Sequence, residues 1–175
     1  MSIEIDIQTG DASWPLAKAL VLATFPPEAA TILPTGPVQW ANPDLRVLIE
    51  DDAEIVCHVG IYRRAGTWKG RKVRIGGIGG VATHPDHRRR GYAGLALTAA
   101  IQTLRDEKAI DFVLLVCQPH NFSFYEKRGW HTFGGELYVE QKNNRIRFDA
   151  MTPYVFDIRY GPREGVIDLC GLPWW

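Results

Sequence analysis

The chain has 175 residues, of which 46% are hydrophobic, and its 20 basic residues balance its 20 acidic residues. This length predicts a single domain over residues 1–175, and the zero formal charge argues against a molecule-wide attraction to nucleic acid or an anionic membrane. Cys57, Cys117 and Cys170 lie too far apart in the sequence to suggest a disulfide framework or a zinc site. No apolar run approaches the roughly 18 residues needed to span a bilayer, and residues 1–10 do not read as a signal peptide, so we expect a cytoplasmic protein. We expect no metal.

The N-terminal part of the chain predicts a strand, a helix and a loop. Apolar and acidic residues alternate over residues 3–7, as in a strand, and the apolar spacing of a helix follows over residues 14–25. Residues 26–44 contain five prolines, so we expect a short helix and an irregular surface loop there. Such loops often border a substrate site.

The middle of the chain predicts an antiparallel meander of three strands. Apolar runs at residues 46–50, 54–62 and 72–83 are separated by the turn sequences Asp51-Asp52-Ala53 and Lys69-Gly70-Arg71.

A long helix follows the meander, because Gly94, Leu97, Ile101 and Leu104 share one helical face. The apolar run at residues 110–117 comes after this helix and should pair in parallel with the preceding strand. The remaining predicted elements are a short helix at residues 125–128, and strands at residues 136–141 and 154–159 joined by a turn at residues 143–144. These elements predict an α/β (α+β) fold with a mixed, mainly antiparallel sheet of about six to seven strands flanked by helices.

A segment at residues 81–94 closes a strand, turns and opens the long helix. Gly91 and Gly94 remove side chains where N–H groups face outward, and a helix start leaves unpaired donors with partial positive charge. Each hydrogen bond to a charged acceptor contributes about 1.5–3 kcal/mol, and the helix dipole adds about 0.3–1 kcal/mol. The segment therefore predicts an anion site. Arg88, Arg89 and Arg90 add positive charge, although alone they could form a solvated basic turn.

The order of strand, His84-Pro85-Asp86, Arg88-Arg89-Arg90-Gly91-Tyr92-Ala93-Gly94 and helix resembles the acetyl-CoA motif of GNAT N-acetyltransferases. That motif is Gln/Arg-x-x-Gly-x-Gly/Ala, and its defined positions are occupied by Arg88, Gly91 and Ala93. The resemblance implies a GNAT-like fold with acetyl-CoA as cosubstrate. The amides that it assigns to the pyrophosphate are those of Arg89, Arg90, Gly91, Tyr92, Ala93 and Gly94.

The same resemblance assigns Val81, Ala82 and Thr83 to the pantetheine arm, which they would hydrogen-bond like an added strand. A splayed parallel pair of strands, at residues 78–83 and 113–117, would form this cofactor cleft. A competing interpretation is the dinucleotide fingerprint, which residues 77–82 match formally. That fingerprint needs a helix to open within the motif, and His84-Pro85 follows instead. We interpret these glycines as a distorted strand, in which a bulge could turn an amide toward the thioester carbonyl.

Tyr125 is the catalytic candidate. Residues 121–130 are similar to the next GNAT motif, in which a tyrosine lies near the cofactor sulfur, and Tyr125 occupies that place ahead of Gly129-Trp130. A phenol with a pKa near 10 could protonate a departing thiolate, so Tyr125 is the predicted general acid, with core packing as the alternative role. The asparagine often found seven residues earlier in the family is replaced by Gln118.

The sequence assigns no general base. Residues 58–83 resemble aminoglycoside 2'-N-acetyltransferases, which implies a glutamate on the central strand, but Gly79 occupies its position. Glu50 and Asp157 could act through water. His58 lies within an apolar strand and is interpreted as a core histidine.

The C-terminal segment, residues 165–175, ends in tryptophan and resembles the C-terminal segment of the same enzymes. Trp174 and Trp175 are expected near the acceptor entrance, where a terminal carboxylate could meet an amine. The alternative is that they anchor the C-terminal segment by hydrophobic burial.

The predicted reaction is direct transfer of acetyl from acetyl-CoA to a primary amine of a small molecule, within a ternary complex. An aminoglycoside-like amine is one possible acceptor, and a homodimer is one possible assembly. Two other functions fit the sequence less well: an acyl-CoA sensor without turnover, and nucleic-acid binding through Arg63, Arg64 and the arginine run.

Overall fold

A ten-stranded mixed sheet organises the protein in a computed structural model, which describes residues 2–29, 32–33 and 36–175. Three α-helices accompany it: α1 (Gly10–Thr24), α2 (Tyr92–Asp106) and α3 (Phe122–Glu126). The strands are β1 (Ile3–Thr9), β2 (Ile32–Leu33), β3 (Gly36–Pro37), β4 (Leu45–Asp51), β5 (Glu54–Trp68), β6 (Arg71–Thr83), β7 (Phe112–Cys117), β8 (His131–Thr132), β9 (Glu136–Gln141), β10 (Asn144–Arg147), β11 (Thr152–Asp157) and β12 (Val166–Asp168). None of the helices in the described ranges is long and apolar enough to cross a membrane.

The sheet runs in the order β10-β9-β12-β5-β6-β7-β11-β8, with β4 and β1 added beside β5. The predicted meander of β4, β5 and β6 is confirmed, since both of its pairings are antiparallel. The predicted parallel pair is confirmed as well, since β6 lies parallel to β7. The mixed, mainly antiparallel class of fold is therefore correct.

Two details of the sequence prediction were wrong. The sheet has ten strands rather than six or seven, because β8, β10 and β12 have only two to four residues and are too short to show an alternating pattern. The turn near residue 143 joins β9 to β10, whereas β11 pairs with β7 on the other side of the sheet. Lys142 and Asn143 both have positive φ there, as in a two-residue hairpin turn.

The proline-containing segment of residues 26–44 holds a 3-10 turn at Pro27–Ala29 and the small pair β2–β3. Pro34, one of its five prolines, lies outside the described residues. The dinucleotide interpretation is excluded, because β6 continues through Gly77, Gly79 and Gly80 without opening a helix.

The two faces of the sheet are covered differently. Val47 and Ile49 of β4 join Leu97 and Leu104 of α2 in one buried cluster. Strand alternation turns Arg46 the other way, where its Nε donates to the carbonyl of Gly10 at the start of α1. Trp175 packs on Phe25, the C-cap of α1, with 4.6 Å between ring centroids, so α1 and the C-terminal residues share the face opposite α2.

Trp174 separates the ends of β6 and β7. Their pairing stops at Gly77 and Leu114. At this point the buried indole of Trp174 donates from Nε1 to the carbonyl of Leu114, at 2.9 Å, and stacks on Tyr62 at 5.4 Å. A side chain at Gly77 would collide with this indole. The indole therefore occupies the carbonyl of Leu114, the last residue of β7 that pairs with β6. The cleft opens beyond this point.

Candidate active site

Two adjoining cavities lie where β6 and β7 diverge. The outer cavity has a volume of about 690 Å³ and extends over the start of α2. The inner cavity, of about 370 Å³, lies between the ends of β6 and β7. Residues that line both are Thr24, Val81, His120, Asn121 and Tyr125. The shared lining makes the two cavities one continuous cleft.

The start of α2 forms the floor of the outer cavity. Gly91 is the N-cap, with a left-handed φ of 85° that glycine adopts without strain. The first intrahelical hydrogen bond runs from Leu95 N–H to Gly91 C=O, so the N–H groups of residues 91–94 have no acceptor within the helix. Gly91, Tyr92, Ala93 and Gly94 all line the cavity. This arrangement suits a phosphate group.

The charge of the outer cavity is positive. Its lining includes Arg88, Arg89 and Arg128, and contains no carboxylate among the residues that the structure describes. Arg128 had not been identified from the sequence: it donates to the carbonyl of Phe124 at 2.8 Å, and its guanidinium lies 3.8 Å above the Phe124 ring. A side chain at Gly94 would approach the Arg128 guanidinium to 3.0 Å, so this glycine leaves room for it.

Arg90 faces away from the outer cavity. Its guanidinium lies 3.7 Å from the buried carboxylate of Asp51, which also accepts a 2.5 Å hydrogen bond from the Tyr92 hydroxyl. His87 lies 3.5 Å from the same carboxylate. Asp51 therefore ties the loop before α2 to the end of β4, and Arg90 serves the loop rather than the cavity wall.

The end of β6 supplies the inner wall. Val81 and Thr83 line the outer cavity, whereas the side chain of Ala82 is buried on the opposite side. The β5–β6 register shifts between His58 and Gly60, and Gly80 has a φ of 59°, so the expected bulge lies at Gly80. Its N–H donates to the main-chain oxygen of Trp175.

Tyr125 lies where the cavities meet. The ring is buried against Phe124 and Trp130, and its hydroxyl has no hydrogen-bond partner among the described residues. Burial raises the pKa of Tyr125 well above its usual value, a shift increased by Cys117 and opposed by Arg128. The phenol therefore stays protonated and can donate to a ligand.

Cys117 lines the inner cavity from β7. Burial raises the pKa of its thiol to about 12, and nearby Glu126 adds to the shift. The sulfur is therefore a neutral thiol near neutral pH, not a nucleophilic thiolate.

Trp175 fills the space beside Gly79. A side chain at position 79 would collide with the Trp175 main chain, so a glutamate has no room there. Trp175 lines the inner cavity, and the centroid of its ring lies 4.6 Å from that of Phe25 and 5.3 Å from that of Trp40. Trp175 thus borders the cleft, whereas Trp174 is a buried anchor.

The other carboxylates considered as bases lie elsewhere. Neither Glu50 nor Asp157 lines either cavity, and Asp157 instead pairs with His131 and Arg163. His120, which the sequence analysis had not singled out, lines both cavities. It lies in a 3-10 turn, Pro119–Asn121, that follows β7 and leads directly into α3, where Tyr125 lies.

Two arginines considered for nucleic-acid binding are engaged within the protein. Arg63 donates from Nε to Glu107 at 2.7 Å, and Arg64 lies 5.5 Å from the Trp174 ring. Among the described residues, no group of three or more histidine, cysteine or acidic side chains could hold a metal ion.

Comparison with solved structures shows the same fold in proteins of low sequence identity. A GCN5-related N-acetyltransferase from Kribbella flavida has a TM-score of 0.58 at 18% identity, over 77% of this chain and 34% of that protein. Escherichia coli ElaA has a TM-score of 0.61 at 15% identity, over 89% of this chain and 100% of ElaA.

A third solved structure contains bound ligands. N-acetylglutamate synthase from Neisseria gonorrhoeae, solved with coenzyme A and N-acetyl-glutamate, has a TM-score of 0.57 at 14% identity, over 90% of this chain and 35% of that protein. This chain therefore spans about a third of the length of the Kribbella and Neisseria proteins.

No curated protein has a sequence that matches this one. The narrower resemblance to aminoglycoside 2'-N-acetyltransferases stays a prediction. A family model, described as an acetyltransferase (GNAT) domain, matches residues 37–133, which is more than half of the chain. The chain therefore belongs to the GNAT family of acetyltransferases.

Proposed function

We propose that the protein is an N-acetyltransferase that moves acetyl from acetyl-CoA to a primary amine of a small molecule, by direct attack within a ternary complex. The observation that carries this proposal is the continuity of the cleft. The free N–H groups at the start of α2 and the unpaired hydroxyl of Tyr125 face one cleft, with Tyr125 at its midpoint.

The cofactor residues divide into three groups. The amides of residues 89–94 would bind the pyrophosphate, and Arg88, Arg89 and Arg128 would neutralise its charge. Val81, Ala82 and Thr83 would hydrogen-bond the pantetheine arm from the end of β6. Bound acetyl-CoA supplies an activated acyl carbon and a thiolate leaving group.

Tyr125 would donate its hydroxyl proton toward the sulfur. Its raised pKa keeps the donor protonated, and the same burial would raise the proton affinity of a desolvated thiolate, so the two groups stay comparable. Cys117 is a neutral thiol, which favours direct attack by the amine over an acyl-cysteine relay.

The acceptor would enter at the inner cavity. Phe25, Ile78, Leu115 and Trp175 give this end an apolar and aromatic lining. Such a lining suits an amine with an aromatic or aliphatic body, whose charge the rings would attract before deprotonation. An aminoglycoside-like amine is the second candidate, following the sequence resemblance.

The test is incubation of the protein with acetyl-CoA and a mixed library of aromatic, aliphatic and aminoglycoside amines, followed by mass spectrometry. We expect an added acetyl group on one or more amines, together with release of free coenzyme A. Tight binding of acetyl-CoA without any acetylated product would favour the sensor function instead.

His120 is our candidate for the general base, because histidine is the commonest proton acceptor in active sites and His120 lines both cavities. We expect His120→Ala to lower kcat/KM for the amine by about 100-fold near neutral pH. Raising the pH should restore much of this loss, because the free amine becomes abundant. The matched control is His131→Ala, which removes a histidine outside both cavities; equal losses in the two variants would exclude His120 as the base.

A further inference from the structure

The buried side chains of His58 and Arg46 support the bulge of β6 on the side away from the cleft. His58 of β5 is 1% exposed and lines neither cavity. Its Nδ1 lies 2.6 Å from the carbonyl oxygen of Gly80, and its Nε2 lies 2.7 Å from a terminal nitrogen of Arg46. Arg46 is fixed in turn by its bond to the Gly10 carbonyl and by the Trp14 ring, 4.9 Å away.

These contacts determine which nitrogen of His58 carries the proton. A guanidinium has donors only, so Nε2 must be the acceptor in the contact with Arg46. The proton of a neutral imidazole then lies on Nδ1, where it donates to the carbonyl of Gly80. Burial and the neighbouring Arg46 charge lower the pKa of His58 to about 4, which agrees with a ring that stays neutral.

The bond to Gly80 fixes the orientation of one peptide plane. The chain has no cis peptide among its described residues, so the N–H of Val81 points opposite to the carbonyl of Gly80 and away from His58. Val81 lines both cavities. With the bond in place, rotation of this peptide would cost the hydrogen bond and leave a buried polar group unpaired.

We propose that His58, held in one neutral tautomer by Arg46, is a positioning residue that fixes the Gly80–Val81 peptide and thereby the Val81 N–H that meets the acyl group. It acts through the backbone and touches no substrate. The inference rests on the proposed function, because it places the Val81 N–H at the thioester end of the pantetheine arm of bound acetyl-CoA.

The experiment compares His58→Leu with His58→Asn. Leucine removes the donor, and we expect kcat to fall about tenfold or more, with a smaller change in KM for acetyl-CoA. The asparagine amide can donate to the Gly80 carbonyl from nearly the same place, so His58→Asn should recover much of kcat. The matched control is Val59→Ala, which removes buried apolar contacts at the neighbouring position, on the opposite face of the sheet. Equal stability and equal kcat in His58→Leu and Val59→Ala would overturn the inference.

Nuclear magnetic resonance of the full chain separates this inference from the proposed function. Nitrogen-15 spectra should show the Nδ1 of His58 protonated and its Nε2 unprotonated in the wild type. In Arg46→Met, the ring should no longer be restricted to this tautomer. Adding acetyl-CoA should shift the Val81 amide in the wild type and much less in His58→Leu. An Nε2-protonated ring, or equal amide shifts in both proteins, would contradict the inference even if no amine is acetylated. A wild type without turnover that shows the expected spectra would contradict the function alone.

Discussion

Gly91→Glu is expected to weaken binding of coenzyme A by at least about 100-fold, which corresponds to about 2.7 kcal/mol. The reason is electrostatic. The substitution places a carboxylate at the N-cap of α2, beside the unpaired N–H groups of residues 91–94 and the pyrophosphate they would hold. A Cβ at this position meets no other atom within 4 Å, so steric collision does not explain the loss. Isothermal titration calorimetry with coenzyme A measures the effect.

Backbone strain must be separated from charge in that experiment. Gly91 has a positive φ, so any side chain costs about 1 kcal/mol in stability. Gly91→Ala carries this strain without charge and should weaken binding less than tenfold. Gly70→Glu is the matched control, because Gly70 also has positive φ and open surroundings but lies in the turn between β5 and β6. Weakened binding in Gly70→Glu, or equal losses in the Ala and Glu variants of Gly91, would contradict the electrostatic explanation.

The grouping of residues at the start of α2 could be predicted from the sequence because these residues are contiguous. One loop and one helix start carry Arg88, Arg89 and the glycines, so local pattern is sufficient. Arg128 and His120 could not be found this way, because they reach the cleft only through the packing of α3 and the end of β7. Arg128 lies within the motif of residues 121–130, but the motif assigned a role only to Tyr125, and no motif contains His120.

The acyl end illustrates a second limit. From the sequence, Gly79 indicates only that the glutamate expected as general base is absent. The structure shows that residue 79 must be small, because the Trp175 main chain lies against it. This contact joins residues almost a hundred positions apart. The splay of β6 and β7 has a similar cause, since Trp174 binds the carbonyl of Leu114 where their pairing ends. Alternation along a strand reveals neither contact, so the C-terminal residues could be placed only by the folded chain.

Tyr125→Phe should lower kcat by about 10²–10³-fold with little change in affinity for acetyl-CoA. The variant keeps the ring that packs on Phe124 and Trp130 and removes only the hydroxyl, which has no described partner to leave unpaired. Because the pKa of Tyr125 is raised and the protonated form is the donor, its contribution should persist as pH rises past 10, the usual value for tyrosine. Steady-state kinetics from neutral pH to about one unit above 10 should therefore show no fall in kcat from ionisation of this hydroxyl.

Tyr154→Phe provides the comparison for this hydroxyl. Tyr154 is another buried tyrosine with a raised pKa, but its hydroxyl donates to Glu126 at 2.8 Å and lines neither cavity. Its loss should lower the melting temperature while kcat stays within about twofold, since an unpaired partner costs stability. The opposite pattern, with kcat unchanged in Tyr125→Phe, would mean that the leaving sulfur takes its proton from elsewhere and that Tyr125 is a packing residue. A loss of kcat confined to Tyr125→Phe would instead place the donor at the junction of the two cavities, between the phosphate end and the amine.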